Sequence, residues 1–140
     1  MSDATLAETK PLPIPDPESQ AFWDGVARGE LLLLHCNNCG YVHYHQQLYC
    51  RRCSSPDLEH RAASGNGFIY SFSTVYRPAG PAFAAETPYT VVLVELEEGP
   101  RMISSLVGAA PEDVDFGKKV RFAPEKITDE ISLPRFVLAD

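Results

Sequence analysis

Positive charge is scarce in this chain: 12 lysines and arginines face 19 aspartates and glutamates among 140 residues, a formal net charge of −7. Phosphate-backbone binding by counterion release needs clustered Lys and Arg, so general nucleic-acid binding is disfavoured. No apolar run approaches the roughly 18 to 20 residues needed to cross a bilayer. The N-terminal residues include Asp3, Glu8 and Lys10 and lack the continuous apolar stretch of a secretory signal. These absences predict a soluble, cytoplasmic protein. Equally missing are a nucleophile with an obvious base, paired carboxylates in a cleft motif and a phosphate-cradling Gly-Lys loop. No catalytic residue is therefore expected in this chain. With 44% hydrophobic residues, 140 positions suffice for one globular domain plus a small module.

Cysteine is also sparse, and its placement is the strongest signal present. The only four are Cys36-Asn37-Asn38-Cys39 and Cys50-Arg51-Arg52-Cys53. Two C-x-x-C loops a dozen residues apart can close a tetrahedral thiolate shell around one divalent ion, and Gly40 eases the turn after Cys39. Structural zinc is the expected occupant, and it would add two further negative charges when four thiolates surround it. Iron in the same shell would make a rubredoxin-like electron carrier, which ligand identity alone does not exclude. Two disulfides suit an oxidising compartment, and a thioredoxin-like pair needs only one C-x-x-C. His35, His43 and His45 flank the site and are assigned no ligand role, because four thiolates already complete the shell.

The charge is uneven: residues 61 to 85 hold only Arg61 and Arg77, whereas residues 86 to 140 carry eleven acids against six bases. Residues 1–15 end in Pro11-Leu12-Pro13-Ile14-Pro15, whose alternate prolines favour an extended arm. Asp16-Pro17 is a helix start, Gly29 a stop, and Phe22 and Val26 lie four residues apart on one face. A helix within 16–30, running to about Arg28, is expected. Leu31 to Leu34 reads as a buried strand delivering Cys36, and Tyr41 to Tyr49 as the connecting ribbon, within a zinc-ribbon segment of 31–62.

Residues 63–140 change to the period of strands. Just before them, at the end of the ribbon segment, Leu58 to Ala62 is a short strand, and Phe68 to Tyr76 alternates aromatic or β-branched with small polar residues. Tyr89 to Leu96 and Arg101 to Val107 flank Glu97-Glu98-Gly99-Pro100 as a hairpin. Pro111 to Val114 makes one helical turn, and Lys119 to Ile127 and Leu133 to Leu138 are the last strands. Five principal strands with an irregular link between the third and fourth define a mainly β chain: a short helix, a zinc ribbon and a five-stranded OB-fold barrel. Phe68, Tyr70, Phe72 and Tyr76 are read as core residues of that barrel; stacking of bases on them is the alternative.

Together these pieces carry a family resemblance. It rests on Phe22-Trp23-Asp24-Gly25, Cys36-x-x-Cys39-Gly40, Cys50-x-x-Cys53, Ser64-Gly65-x-Gly67-x-Ile69-Tyr70-Ser71, Pro88-Tyr89, Val94-Glu95-Leu96-x-Glu98-Gly99, Leu106-Val107-Gly108, Thr128-Asp129-Glu130 and Leu133-Pro134. The chain resembles the bacterial and archaeal family that joins a rubredoxin-like zinc ribbon to a C-terminal OB-fold and is associated with acyl-CoA metabolism. It departs from the family where Tyr44-His45-Gln46-Gln47 replaces a usual Pro-Pro-Arg run, which puts a contact through that arginine in doubt.

The resemblance implies a zinc-binding accessory subunit beside a thiolase-like, aldolase or enoyl-CoA hydratase enzyme, with catalysis in the partner and acyl-CoA as ligand of the complex. Phe83 and Arg77 of the long, small-residue connection from Arg77 to Ala85, with Tyr76 just before it, are the candidate contacts to acyl-CoA or partner. Lys118, Lys119 and Arg121 form one basic patch and Arg51-Arg52 another; either could meet CoA phosphates, and solvated strand ends explain them equally. The alternatives to an acyl-CoA accessory subunit are a zinc-ribbon and OB-fold adaptor for nucleic acid or protein, and the electron carrier.

Overall fold

The computed structural model describes residues 10–139. Of the arm expected over 1–15, residues 1–9 lie outside the described residues, and residues 10–15 have no regular secondary structure. Lys10 is tied to Glu86 at 2.8 Å.

The helix is shorter than its sequence signals suggest. α1 spans Gln20–Ala27, because Asp16 and Ser19 cap each other through Asp16 N–H to Ser19 Oγ (3.1 Å) and Ser19 N–H to Asp16 Oδ1 (2.7 Å). The Pro17-Glu18-Ser19 segment is thereby held as a turn rather than a first helical turn. The stop falls where Gly29 places it. Gly29 adopts φ +88°, its N–H bonds Val26 O at 2.9 Å, and Glu30 N–H bonds Gly25 O at 2.8 Å, the paired closure of a Schellman motif. Phe22 and Val26 are buried, as their spacing requires.

In the ribbon, β1 (Leu32–Cys36) is the central strand, flanked antiparallel by β2 (Val42–His43) and β3 (Leu58–Ala62). Leu31, Leu33, Leu34 and Cys36 are buried, so the four-leucine run is a strand packed against the rest of the molecule. The connecting ribbon is regular only at β2, and residues 44–49 are irregular, with His45 at φ +85°.

The barrel follows. β4 (Asn66–Val75), β5 (Tyr89–Leu96), β6 (Arg101–Leu106), β7 (Lys119–Phe122), β8 (Glu125–Lys126), β9 (Ser132–Leu133) and β10 (Phe136–Leu138) occur in that order. Five of them close as β10-β6-β5-β4-β7, with β10 meeting β7 and only the β10–β6 pair parallel. β8 and β9 pair separately. Two expected strands are thus each broken in two. Lys119–Ile127 is interrupted at Ala123-Pro124, and Leu133–Leu138 at Pro134-Arg135, since proline supplies no ladder N–H. The expected helical turn is a 3-10 turn over Pro111–Asp113.

The aromatic alternation on β4 misleads for a definite reason. The β4–β5 register shifts between Ile69 and Ser71, which pair with Val94 and Leu93 in turn. The extra residue, Tyr70, is a bulge that reverses the parity of the strand. Ile69 points inward and is buried, while Phe68 (40% exposed) and Tyr70 (46%) face out. Beyond the bulge Phe72 packs against the core, and Tyr76 is 71% exposed. Of the four aromatics read as core, only Phe72 reaches it.

One apolar core unites the chain. Phe22 and Val26 of α1, Leu31 and Leu33 of the ribbon, and Ile69, Val92, Val94, Met102, Val120 and Phe136 of the barrel belong to a single cluster. The link between ribbon and barrel is also clamped by the β5–β6 hairpin tip. Ser64 N–H donates to Glu98 Oε2 at 2.7 Å, Ser64 Oγ to Glu97 Oε2 at 2.9 Å, and Asn66 Nδ2 to the same Glu97 oxygen at 3.4 Å.

Candidate functional site

Two similar turns build the cysteine cluster. After Cys36, the Gly40 N–H returns to Cys36 O at 2.9 Å; after Cys50, the Ser54 N–H returns to Cys50 O at 2.9 Å. The residue closing each turn has positive φ, +81° at Gly40 and +65° at Ser54. Each turn aims an N–H at its first sulfur: Cys39 N to Cys36 Sγ at 3.4 Å and Arg52 N to Cys50 Sγ at 3.3 Å. The Asn38 side chain reaches across from one knuckle to the other and donates to Cys53 Sγ at 3.4 Å. Such donors suit sulfurs that carry negative charge.

The four sulfurs lie within 4.8 Å of one another, with Cys36–Cys53 at 3.5 Å and Cys39–Cys50 at 3.6 Å. A tetrahedral zinc with Zn–S near 2.3 Å requires sulfur–sulfur edges of about 3.8 Å. The spacing fits, and all four cysteines are free. Their acidities differ. The Asn38 amide holds Cys53 down at about 6. Cys39 receives the Tyr41 N–H, which pulls it down, yet desolvation and the three neighbouring thiols outweigh this and push it up to about 11. Four sulfurs this close cannot all ionise without a cation to offset their repulsion. The donor set and its N–H partners fit a divalent ion.

His43 takes no part as a ligand, and both its nitrogens are otherwise engaged. It is buried, with Nδ1 3.0 Å from Leu34 O, and its Nε2 accepts the Arg51 N–H at 3.1 Å. The neutral Nδ1–H tautomer satisfies both contacts and ties β1 to the second knuckle. Sequence reasoning missed this role because nothing about a histidine in a two-residue strand marks it as a bridge. His35 is half-buried and held below the usual imidazole range, first by desolvation and then by Arg61. His45 is exposed.

The candidate ligand contacts lie far from the knuckles in sequence. Tyr76 and Arg77 are exposed just after β4, and Phe83 is half-buried in a 3-10 turn over Pro81–Glu86 that leads to β5. Lys118 Nζ is occupied by the Asp113 carbonyl at 2.6 Å. Lys119 and Arg121 share the outer face of β7, either side of buried Val120. Arg51 and Arg52 are exposed at the second knuckle, the latter with its guanidinium 6.0 Å from the Tyr41 ring centre. Among the described residues, no helix is long and apolar enough to cross a membrane.

A four-cysteine knuckle on a three-stranded ribbon, joined by a clamped link to a closed five-stranded barrel, defines a zinc-ribbon and OB-fold protein. Comparison with known proteins makes the assignment particular. Residues 23–59 match the ChsH2 rubredoxin-like zinc ribbon domain and residues 60–123 the ChsH2 C-terminal OB-fold domain. The chain belongs to this ChsH2 family.

It is 35% identical over 117 residues to a probable enoyl-CoA hydratase alpha subunit of Thermomonospora curvata, covering 83% of this chain and 36% of that protein. It thus spans about a third of that relative's length. A DUF35 domain-containing scaffold protein of Methanocaldococcus jannaschii is 33% identical over 101 residues, 71% of each chain. A solved structure described as the Ltp2-ChsH2(DUF35) aldolase superposes with TM-score 0.82 at 31% identity, covering 91% of this chain and 99% of that one.

Proposed function

We propose that this chain is a non-catalytic, zinc-binding accessory subunit of an acyl-CoA-processing complex, supporting a thiolase-like condensing or cleaving enzyme and helping to form its acyl-CoA channel. The observation that carries this reading is the superposition, over nearly the whole of both chains, on a protein solved as part of an aldolase. Relatives named as hydratase alpha subunits and as scaffold proteins support the same role. Zinc held by Cys36, Cys39, Cys50 and Cys53 orders the ribbon, and no step of the chemistry is assigned to it. Tyr76, Arg77 and Phe83 supply acyl-CoA or partner contacts from the β4–β5 connection: Phe83 an apolar surface, Tyr76 and Arg77 polar handles.

Affinity purification of the tagged full chain from its native cells, with the retained proteins identified by mass spectrometry, tests the role. An acyl-CoA condensing, cleaving or hydrating enzyme in stoichiometric amount is expected; salt-sensitive retention of RNA with no such enzyme would support the adaptor instead. The contact residues are tested separately in the reconstituted complex. If replacing Phe83 with Ala and deleting residues 79–85 both left partner affinity and turnover unchanged, the channel assignment would be wrong.

A further inference from the structure

Among the described residues, the outer edge of the ribbon sheet is open. β3 pairs with β1 on one side only, and its sequence Leu58-Glu59-His60-Arg61-Ala62 is exposed from Glu59 onward. The bonds at its two ends fix which backbone groups face out. Ala63 N–H donates to Leu31 O at 2.8 Å, and Asn37 N–H to Asp57 O at 2.9 Å. With Leu33 opposite Arg61 and His35 opposite Glu59, the alternation of an antiparallel ladder turns Glu59 and Arg61 toward β1. The peptide groups of His60 and Ala62 and the carbonyl of Leu58 are left on the free edge, while Leu58 N–H is already held by Pro56 O at 3.0 Å.

Charged residues usually protect such an edge from pairing. Here the signs complement themselves. Glu59 and Arg61 lie two apart, on one face, with Oε2 and Nε at 2.8 Å. An antiparallel strand of the same sequence centred on His60 sets each Glu59 opposite the second copy's Arg61. A parallel copy in register, or a slipped one, loses that match or opposes like charges.

We propose that β3 is a self-association edge that pairs antiparallel, about a two-fold axis at His60, with β3 of a second copy of this chain. The two His60 residues exchange a pair of backbone hydrogen bonds, and each Ala62 N–H donates to the other copy's Leu58 carbonyl. The two ribbons form one six-stranded sheet. Glu59 and Arg61 of the two copies make a ring of alternating charge on its face, in a non-hydrogen-bonded register where side chains approach most closely. The interface is isologous, so it closes as a dimer instead of propagating.

Sedimentation velocity of the full, zinc-loaded chain over about 1 to 500 μM covers the affinities expected of a small interface. A concentration-dependent dimer is the expected result. Either single reversal, Glu59→Arg or Arg61→Glu, should weaken it about tenfold or more, and the double reversal should restore it. Zinc content and circular dichroism show that each variant remains folded. Hydrogen exchange should slow at the His60 and Ala62 amides as the chain is concentrated. A monomer throughout the range, or a dimer whose affinity ignores the single reversals, overturns the proposal. So does protection of those two amides only when the catalytic subunit is added.

Discussion

Ser54 is the residue at which the two knuckles differ most in conformational cost. It closes the second turn with φ +65°, a position that Gly40 fills in the first, and a non-glycine residue there carries strain on the order of 1 kcal/mol. Ser54→Gly should therefore stabilise the zinc-loaded protein by up to about 1 kcal/mol, read from urea unfolding midpoints. His43 should behave in the opposite sense. His43→Ala leaves the Arg51 N–H without its partner and takes from Leu34 O the second of its bonds, the β1–β2 ladder bond remaining, and the expected loss is about 1 to 3 kcal/mol in the same measurement. Both roles bear on what a sequence shows. The four cysteines were legible because ligand chemistry fixes their spacing. The bridge at His43 was not, since it depends on which backbone groups the fold brings to either side of the ring.

At the level of elements, strands were readable wherever one face is buried and no proline or bulge intervenes, as along β5 with its strict alternation of half-buried and buried residues. They were misread where a single backbone event reverses parity, and Tyr70 shows this. Its ring is not buried but lies under Arg101 at 3.6 Å, and Arg101 is paired with Glu95 at 3.0 Å. Near the start of the same strand, Gly67 is constrained by its neighbour β5. A Cβ there would stand 2.6 Å from Glu95 O and 2.8 Å from a Val94 methyl, and the first of these is backbone that cannot swing away. Gly67→Ala should force β4 from β5 and cost about 1 to 3 kcal/mol, with the amides of Glu95 and Leu96 exchanging faster. The helix entry is set by electrostatics instead. Hydrogen bonds from Ser19, side chain first, hold the Asp16 carboxyl below the usual carboxylate range. A group with its folded pKa depressed stabilises the fold above its unfolded pKa, and that contribution fades as pH falls through the folded value. The turn before α1 should loosen at acid pH while α1 persists, visible as a shift of the Ser19 amide resonance that tracks the Asp16 carboxyl titration and is abolished in Asp16→Asn.

The four-cysteine metal site lies in the smallest part of the molecule, yet the influence of a zinc held there should extend through all of it. The ribbon has little apolar mass of its own, and structural zinc supplies on the order of 10 kcal/mol to modules of this kind. Were ribbon and barrel independent, removing the metal would melt only the first and leave the second with its own transition. The packing argues otherwise, because Leu31 and Leu33 share one buried cluster with Ile69, Val92 and Phe136, and Phe22 and Val26 of α1 complete it. Losing β1 would expose that side of the barrel core. The Glu97 and Glu98 contacts to Ser64 and Asn66 transmit the same dependence through the link. A strong chelator should therefore lower the unfolding temperature of the whole chain in one transition. Fluorescence of Trp23, which packs against the shared core, and the β-sheet circular dichroism should fall together. Two separated transitions, with the β signal keeping its zinc-loaded midpoint, would show that the shared core does not couple the parts. Glu97→Ala with Glu98→Ala addresses the link alone: the expected cost is about 1 to 3 kcal/mol with zinc retained, and exchange of the Ser64 amide should quicken well before the barrel amides do. That order of events would mean that the ribbon, once fixed by its metal, holds the barrel through this link as well as through the shared core.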